Sequence, residues 1–216
     1  MNETTGSGLF ITFEGGDGTG KSTHASRIVE HLRALGHEVL HTHEPGGTDV
    51  GQQIRNIVLH HDGDIDPRAE ALLFAADRAH HIATVVRPAL QAGKIVIQDR
   101  YIDSSVAYQG SGRDLGADEV RELSLWGTRG LLPDLVVLLD LDPEIAQQRM
   151  RSVRDGLDRL EREASDYHRR VREQFLQQAG ADAERYTVVD ANRPHEQVAD
   201  EIRARIDELL AAREQR

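Results

Sequence analysis

Residues 15–22 read GGDGTGKS, two glycines separated by four residues and followed by Lys and Ser, directly after the β-rich run LFITFE. Glycines at this spacing let backbone N–H groups turn inward around phosphate oxygens, and a following helix adds the positive end of its dipole. Lys21 then reaches the β- and γ-phosphates, and the Ser22 hydroxyl is suited to ligate Mg²⁺. Gly15, Gly16, Asp17, Gly18, Thr19, Gly20, Lys21, Ser22 and Thr23 are the expected binding residues for ATP or another nucleoside triphosphate.

The same loop serves switches, motors and kinases, so the receiving group must be sought elsewhere. A metal-bound triphosphate usually needs an acidic residue at the end of a buried strand. KIVIQD ends in Asp99, while LVVLLDLD contains Asp140 and Asp142, and strand pattern alone does not separate them. Asp99 is preferred because Arg100 follows it, joining a carboxylate for the metal side to a guanidinium suited to a phosphate ester. Asp140 is read as a structural strand-end residue. Arg149, Arg151, Arg154, Arg159 and Arg162 fall in one short segment beside acidic residues, which on pattern alone describes a solvated helix face.

Such a site has to be positioned by alternating strands and helices. The strand runs are GLFITFEG (8–15), HEVLHTHEP (37–45), KIVIQDR (94–100), DLVVLLDLD (134–142) and YTVVDA (186–191). Ala25, Ile28, Val29 and Leu32 make one helix face after the loop, a short helix follows near 49–61, and Pro67 opens a longer one reaching about Gln91. A further helix is expected over 101–130, then helical stretches at 143–153 and 165–179, and a closing helix through Val198, Ile202, Ile206 and Leu209. The alternation predicts an α/β fold, a five-stranded parallel sheet with helices on both faces and ligands at the carboxyl ends of the strands. No repeat or linker divides the chain, so residues 1–216 are expected to form a single domain with a flexible N-terminus at 1–7.

Composition narrows the function classes. A chain of 216 residues with 38% apolar content can bury a core without metal or disulfide staples. The absence of cysteine excludes thiol catalysis and thiolate metal sites and suits a reducing compartment, so a cytoplasmic location is expected. A net charge of −11 disfavours nucleic acid as partner. The start MNETTGSG lacks a signal-peptide pattern and the longest apolar run, LVVLL, is too short to span a bilayer, so no membrane association is expected. The eleven histidines include pairs at 60–61 and 80–81, read as solvated rather than as a zinc site.

From about Leu9 to Leu210 the chain resembles the bacterial thymidylate kinases, a branch of the P-loop nucleoside monophosphate kinases. The resemblance rests on FEGGDGTGKST, EPGGT (44–48), LLFAADR (72–78), DRYIDSSVAYQG (99–110), LDLDPE (139–144), DRLE (158–161) and RVREQF (170–175), in that order. It implies transfer of the ATP γ-phosphoryl to dTMP, giving dTDP for dTTP biosynthesis, with Mg²⁺ held by Ser22 and Asp99. On the same resemblance Phe74 stacks on the thymine ring, Arg78 contacts the base edge and Arg100 holds the acceptor phosphate. Asp17 lies near the sugar 3′-hydroxyl, Ser104, Tyr108 and Gln109 line the base and deoxyribose, and Tyr108 is in a position to crowd out a 2′-hydroxyl. Taken without the family, Ser104 is a helix cap and Tyr108 a packing aromatic.

The resemblance also places a mobile lid at 149–160. The phosphate loop carries Gly18 and Thr19 where one branch keeps an arginine, so catalytic positive charge is expected from Arg149, Arg151 or Arg154 in the lid, alongside Lys21 and Arg100. His43 stands where many relatives have Arg, with Arg55 as a possible compensating charge, and Phe175 stands where Tyr is common. The family is typically dimeric, so a homodimer is expected. The rival readings are a kinase for another nucleoside or nucleoside monophosphate, and a regulatory P-loop ATPase without a nucleotide acceptor.

Overall fold

A computed structural model describes residues 8–153 and 158–214, with the side chains of 151–153 and 214 left aside. The stretch 1–7, Arg154 and the Arg151 side chain lie outside what is described. Five strands form one parallel sheet: β1 (Leu9–Glu14), β2 (Val39–His43), β3 (Ile95–Asp99), β4 (Leu135–Asp140) and β5 (Tyr186–Asp190). Their order across the sheet is β2-β3-β1-β4-β5. The register pairs Phe13 with Asp99 on one side of β1 and with Val137 on the other.

The helices are α1 (Lys21–Ala34), α2 (Asp49–His60), α3 (Pro67–His81), α4 (Arg87–Gln91), α5 (Ile102–Ser105), α6 (Ala117–Thr128), α7 (Pro143–Val153), α8 (Ser165–Ala181) and α9 (His195–Glu214). Leu9, Ile11 and Phe13 pack against Ile28 and Leu32 of α1 and Ile202 and Ile206 of α9. The alternate residues face the other layer: Phe10 meets Ile82, Val86 and Tyr101, while Val136 and Leu138 meet Val171 and Phe175 of α8. Both faces of the sheet are covered, which is why the strands read as unbroken apolar runs.

Two π-helical segments depart from the expected regular helices. Ile82–Val86 joins α3 to α4, so the long helix from Pro67 is continuous but carries a wider turn. The expected helix over 101–130 is interrupted: α5 passes into a π-helical segment, Val106–Gly112, and α6 begins only at Ala117. The glycine-rich QGSG and the positive φ of Asp114 (59°) and Gly116 (92°) end the first piece, since a standard helix does not continue through left-handed residues. Tyr108 and Gln109 lie in this widened turn.

Candidate active site

The carboxyl ends of β1, β2 and β3 open onto one cleft of about 510 Å³. The phosphate loop forms its floor. Gly20 caps α1 in the left-handed region (φ 91°), and a side chain at Gly15 would meet the Leu139 carbonyl oxygen at 2.4 Å. Thr19 Oγ1 and Lys21 Nζ both donate to Gly16 O, at 2.9 and 2.6 Å. Burial, with Arg100 nearby, lowers the Lys21 ammonium to about 8.

Ser22 Oγ donates to Asp99 Oδ2 at 2.5 Å, with both residues lining the cleft. Asp140 is occupied elsewhere, its two oxygens accepting from Arg172 Nε and Nη2 at 2.7 and 2.9 Å. Ser22 and Asp99 offer only oxygen donors, the chemistry Mg²⁺ prefers when phosphate and water complete its shell.

A second cation, Arg100, lines the same cleft. Arg100 follows β3 with φ 68°, a conformation costly for a side-chain-bearing residue and often held at functional sites. Its backbone N–H donates to Phe13 O at 3.0 Å, and its guanidinium donates to Gly15 O, Ser104 Oγ and Asp17 Oδ1. Tyr108 closes the group, donating its hydroxyl to Asp17 Oδ2 at 2.8 Å, with its ring 5.0 Å from the Arg100 guanidinium. Burial would raise the Asp17 carboxyl, but Arg100 and Lys21 outweigh it and hold the group well below the usual carboxylate range. Asp17 is therefore an anion between two cations.

Behind Arg100 lies Glu14, fully buried, accepting from Tyr101 N at 2.7 Å and Ser104 Oγ at 2.6 Å. Burial, helped by the nearby Asp103 carboxylate, pushes Glu14 up to about 8. Phe74 and Arg78 of α3 reach the far wall of the cleft. Arg78 spends three N–H groups on the protein: Nε to Glu44 Oε2 (2.8 Å), Nη1 to Ser124 Oγ (3.2 Å) and Nη2 to Tyr101 O (3.1 Å). Glu44 also meets His81 Nδ1 at 2.9 Å, so the arginine is locked rather than swinging. Arg55 donates to Pro45 O at 2.8 Å on the cleft rim beside His43. Burial and the nearby Arg55 guanidinium lower the His43 imidazole.

Segment 158–161 forms the remaining wall through Asp158, Leu160 and Glu161. Gln109 reaches the cleft from the π-helical segment with its amide on Glu70 Oε1 at 2.9 Å. Arg149 turns to the loop after β5, where Nη1 donates to Ala191 O at 2.9 Å. Arg159 is bound to the Val58 carbonyl and the Glu70 carboxylate.

The structure thus brings Asp17, Gly18, Gly20, Lys21, Ser22, Thr23, Arg55, Phe74, Arg78, Asp99, Arg100, Ser104, Tyr108 and Gln109 to one cleft, while Gly15, Gly16 and Thr19 line a smaller neighbouring pocket and Arg149 is bound to Ala191 O. Sequence reasoning missed Glu14, Glu44 and Glu70 as site-building groups. A carboxylate ending or following an apolar strand was the available signal for the first two; Glu70 had none.

A thymidylate kinase family model matches residues 13–202. A thymidylate kinase of Clavibacter sepedonicus is 62% identical over 205 residues, covering 95% of this chain and 97% of that protein. One from Leifsonia xyli subsp. xyli is 63% identical over 200 residues, 93% and 95% of the two chains. One from Deinococcus radiodurans is 47% identical over 201 residues, 93% and 97% of the two chains. This match over residues 13–202, with relatives 47–63% identical over nearly the whole chain, means that the chain belongs to the thymidylate kinase family.

Proposed function

We propose that the protein transfers the γ-phosphoryl group of ATP to dTMP, giving ADP and dTDP and so supplying dTTP synthesis. The observation that carries this reading is that two cations, Lys21 and Arg100, line one cleft with the Asp17 carboxylate beside both. Lys21 lies on the donor side, and Arg100, braced by Asp17, Ser104 and Tyr108, on the acceptor side. Two anionic phosphates repel, and fixed guanidinium and ammonium groups allow them to meet in line. Ser22 and Asp99 would hold Mg²⁺, which when bound neutralises charge on the β- and γ-phosphates. Acceptor phosphate needs no general base, since it is already an anion.

Phe74 offers a flat face to thymine, and Arg78 has two N–H groups beyond the three it spends on the protein. Asp17 and Tyr108 meet the sugar edge, where the ring leaves little room for a 2′-hydroxyl. Arg149, Arg151 and Arg154 supply lid charge to the migrating phosphoryl group. Leu72 of α3 and Trp126 of α6, 57% and 82% exposed on helices that pack together, supply the apolar contact for a homodimer. No helix of the described residues is long and apolar enough to cross a membrane, in keeping with a cytoplasmic enzyme.

A regulatory ATPase would have no use for the Arg100 cluster. The test is ADP formation from ATP-Mg²⁺ with dTMP, dUMP, UMP, dCMP, AMP, GMP, thymidine or no acceptor. Stimulation by dTMP above all others is expected; acceptor-independent hydrolysis, or preference for another nucleotide, would overturn the assignment.

A further inference from the structure

Glu70 is a buried carboxylate that the scheme above does not use. It sits in the first turn of α3 with 0% exposure, yet it gathers side chains from two distant stretches. Oε1 accepts from Gln109 Nε2 at 2.9 Å and Arg113 Nε at 3.3 Å, while Oε2 accepts from Arg113 Nη2 at 3.2 Å and from the Arg159 guanidinium. Arg113 Nη1 also meets Glu163 Oε1 at 2.6 Å, so two guanidiniums and two carboxylates form a charge-balanced quartet. Arg159 completes its bonding on α2, with Nε donating to Val58 O at 2.9 Å and its backbone N–H donating to Leu59 O at 3.2 Å. These are last-turn carbonyls, where a helix end favours a cation.

The residues on either side of Arg159 are wall residues of the cleft. Asp158 Oδ1 accepts the backbone N–H groups of Leu160 and Glu161, both at 2.9 Å, and Glu161 Oε2 accepts the Asp158 N–H at 2.9 Å. The turn is therefore rigid within itself, and its placement depends on what it is tied to. Leu160 ties it into the apolar cluster with Leu59, Phe74 and Tyr108, and Arg159 ties it to Glu70 of α3 as well as to Val58 and Leu59 of α2. Glu70 holds Gln109 as well, so a single buried anion sets two sides of the same space.

We infer that Glu70 is a positioning residue that fixes the wall formed by Asp158, Leu160 and Glu161 over the acceptor part of the cleft, through Arg159, and aligns Gln109 with it. This rests on the reading of that cleft as the dTMP site. Loss of the Glu70 charge leaves the Arg113 and Arg159 guanidiniums without the carboxylate they share, and the turn loses its tie to α3 while keeping the Arg159 bonds to α2.

The experiment compares wild type with Glu70→Gln by amide hydrogen exchange without ligand and by steady-state kinetics. Exchange over 158–163 is expected to rise about tenfold or more, and KM for dTMP about tenfold, with KM for ATP within about twofold. Arg159→Met serves if Glu70→Gln does not fold, since it keeps Glu70 paired to Arg113, and should show the same split. Unchanged exchange over 158–163 overturns the tie, and faster exchange with unchanged KM for dTMP overturns the positioning role. A wild-type protein inactive on dTMP would instead sink the reading of the cleft, while the substrate-free exchange arm still decides whether Glu70 holds the turn.

Discussion

At the floor of the cleft Thr19 and Lys21 turn back onto Gly16 O from three and five residues away, whereas on the wall Glu70 reaches Gln109 and Arg159 across 39 and 89 positions. The floor is a nest of backbone groups whose shape is dictated by its own glycines and by the strand and helix at its two ends. The turn in the wall is ordered locally by Asp158 and Glu161, but nothing local fixes where it stands. The wall exists only when α3, the π-helical segment and the turn at 158–161 have come together, and it is held by buried charges that need one another. Substitutions on the floor should therefore remove chemistry and spare the fold, while substitutions nearer the wall should disturb geometry, selectivity and stability.

Lys21→Met should give the largest effect, lowering kcat about 10³-fold with little change in melting temperature, because a single cation is lost where charge is transferred. A coupled ADP assay beside a thermal melt checks this, and near-normal turnover would break the contrast. The same lysine is lowered to about 8, so kcat/KM for ATP should fall roughly tenfold per pH unit above that value as the free ammonium loses its proton. Arginine at position 21, if active, should lack that alkaline limb.

Arg100→Lys should cost about 10²-fold in kcat/KM for dTMP, since an ammonium cannot keep Gly15 O, Ser104 and Asp17 together on a planar fork. A loss confined to KM for ATP would place Arg100 on the donor side instead. Tyr108→Phe removes the hydroxyl that bridges Asp17 and Arg100. It should shift discrimination between dTMP and its ribose analogue about fivefold, with KM for ATP within about twofold, and unchanged discrimination would leave Tyr108 a packing residue.

The smallest effect is on stability. Glu14 is raised in the folded protein from 4.5 to about 8, so between these values the folded chain binds a proton that the unfolded chain releases. Its contribution is fully present below the lower value and lost as pH rises through the upper one. Glu14→Gln should therefore gain melting temperature relative to wild type as pH goes from 5 to 8, by several degrees. Parallel melting curves would show that Glu14 is not held protonated.

Much of the fold was legible because the three central strands are short apolar runs buried on both faces, and each main helix carries its own periodicity. KIVIQD and LVVLLD needed no partner to declare themselves as strands. The widened turn at Val106–Gly112 was not legible, since apolar spacing cannot distinguish a π-helical turn from a regular one. In the arginine segment neighbours in sequence part in space, Arg149 turning to Ala191 and Arg159 to Val58 and Glu70.

By itself the sequence determined what depends on near neighbours: the strand and helix content, the phosphate loop, and the set of residue types able to hold two phosphates. Only the tertiary structure decided which strand-end carboxylate stands beside Ser22, Asp99 rather than Asp140, and which protein groups Arg78, Arg149 and Arg159 bind. It also decided that Glu14, Glu44 and Glu70 are buried carboxyl groups that brace the site. The physical reason is that a buried charge is defined by its counter-charges, and here those arrive from remote parts of the chain after the sheet has formed.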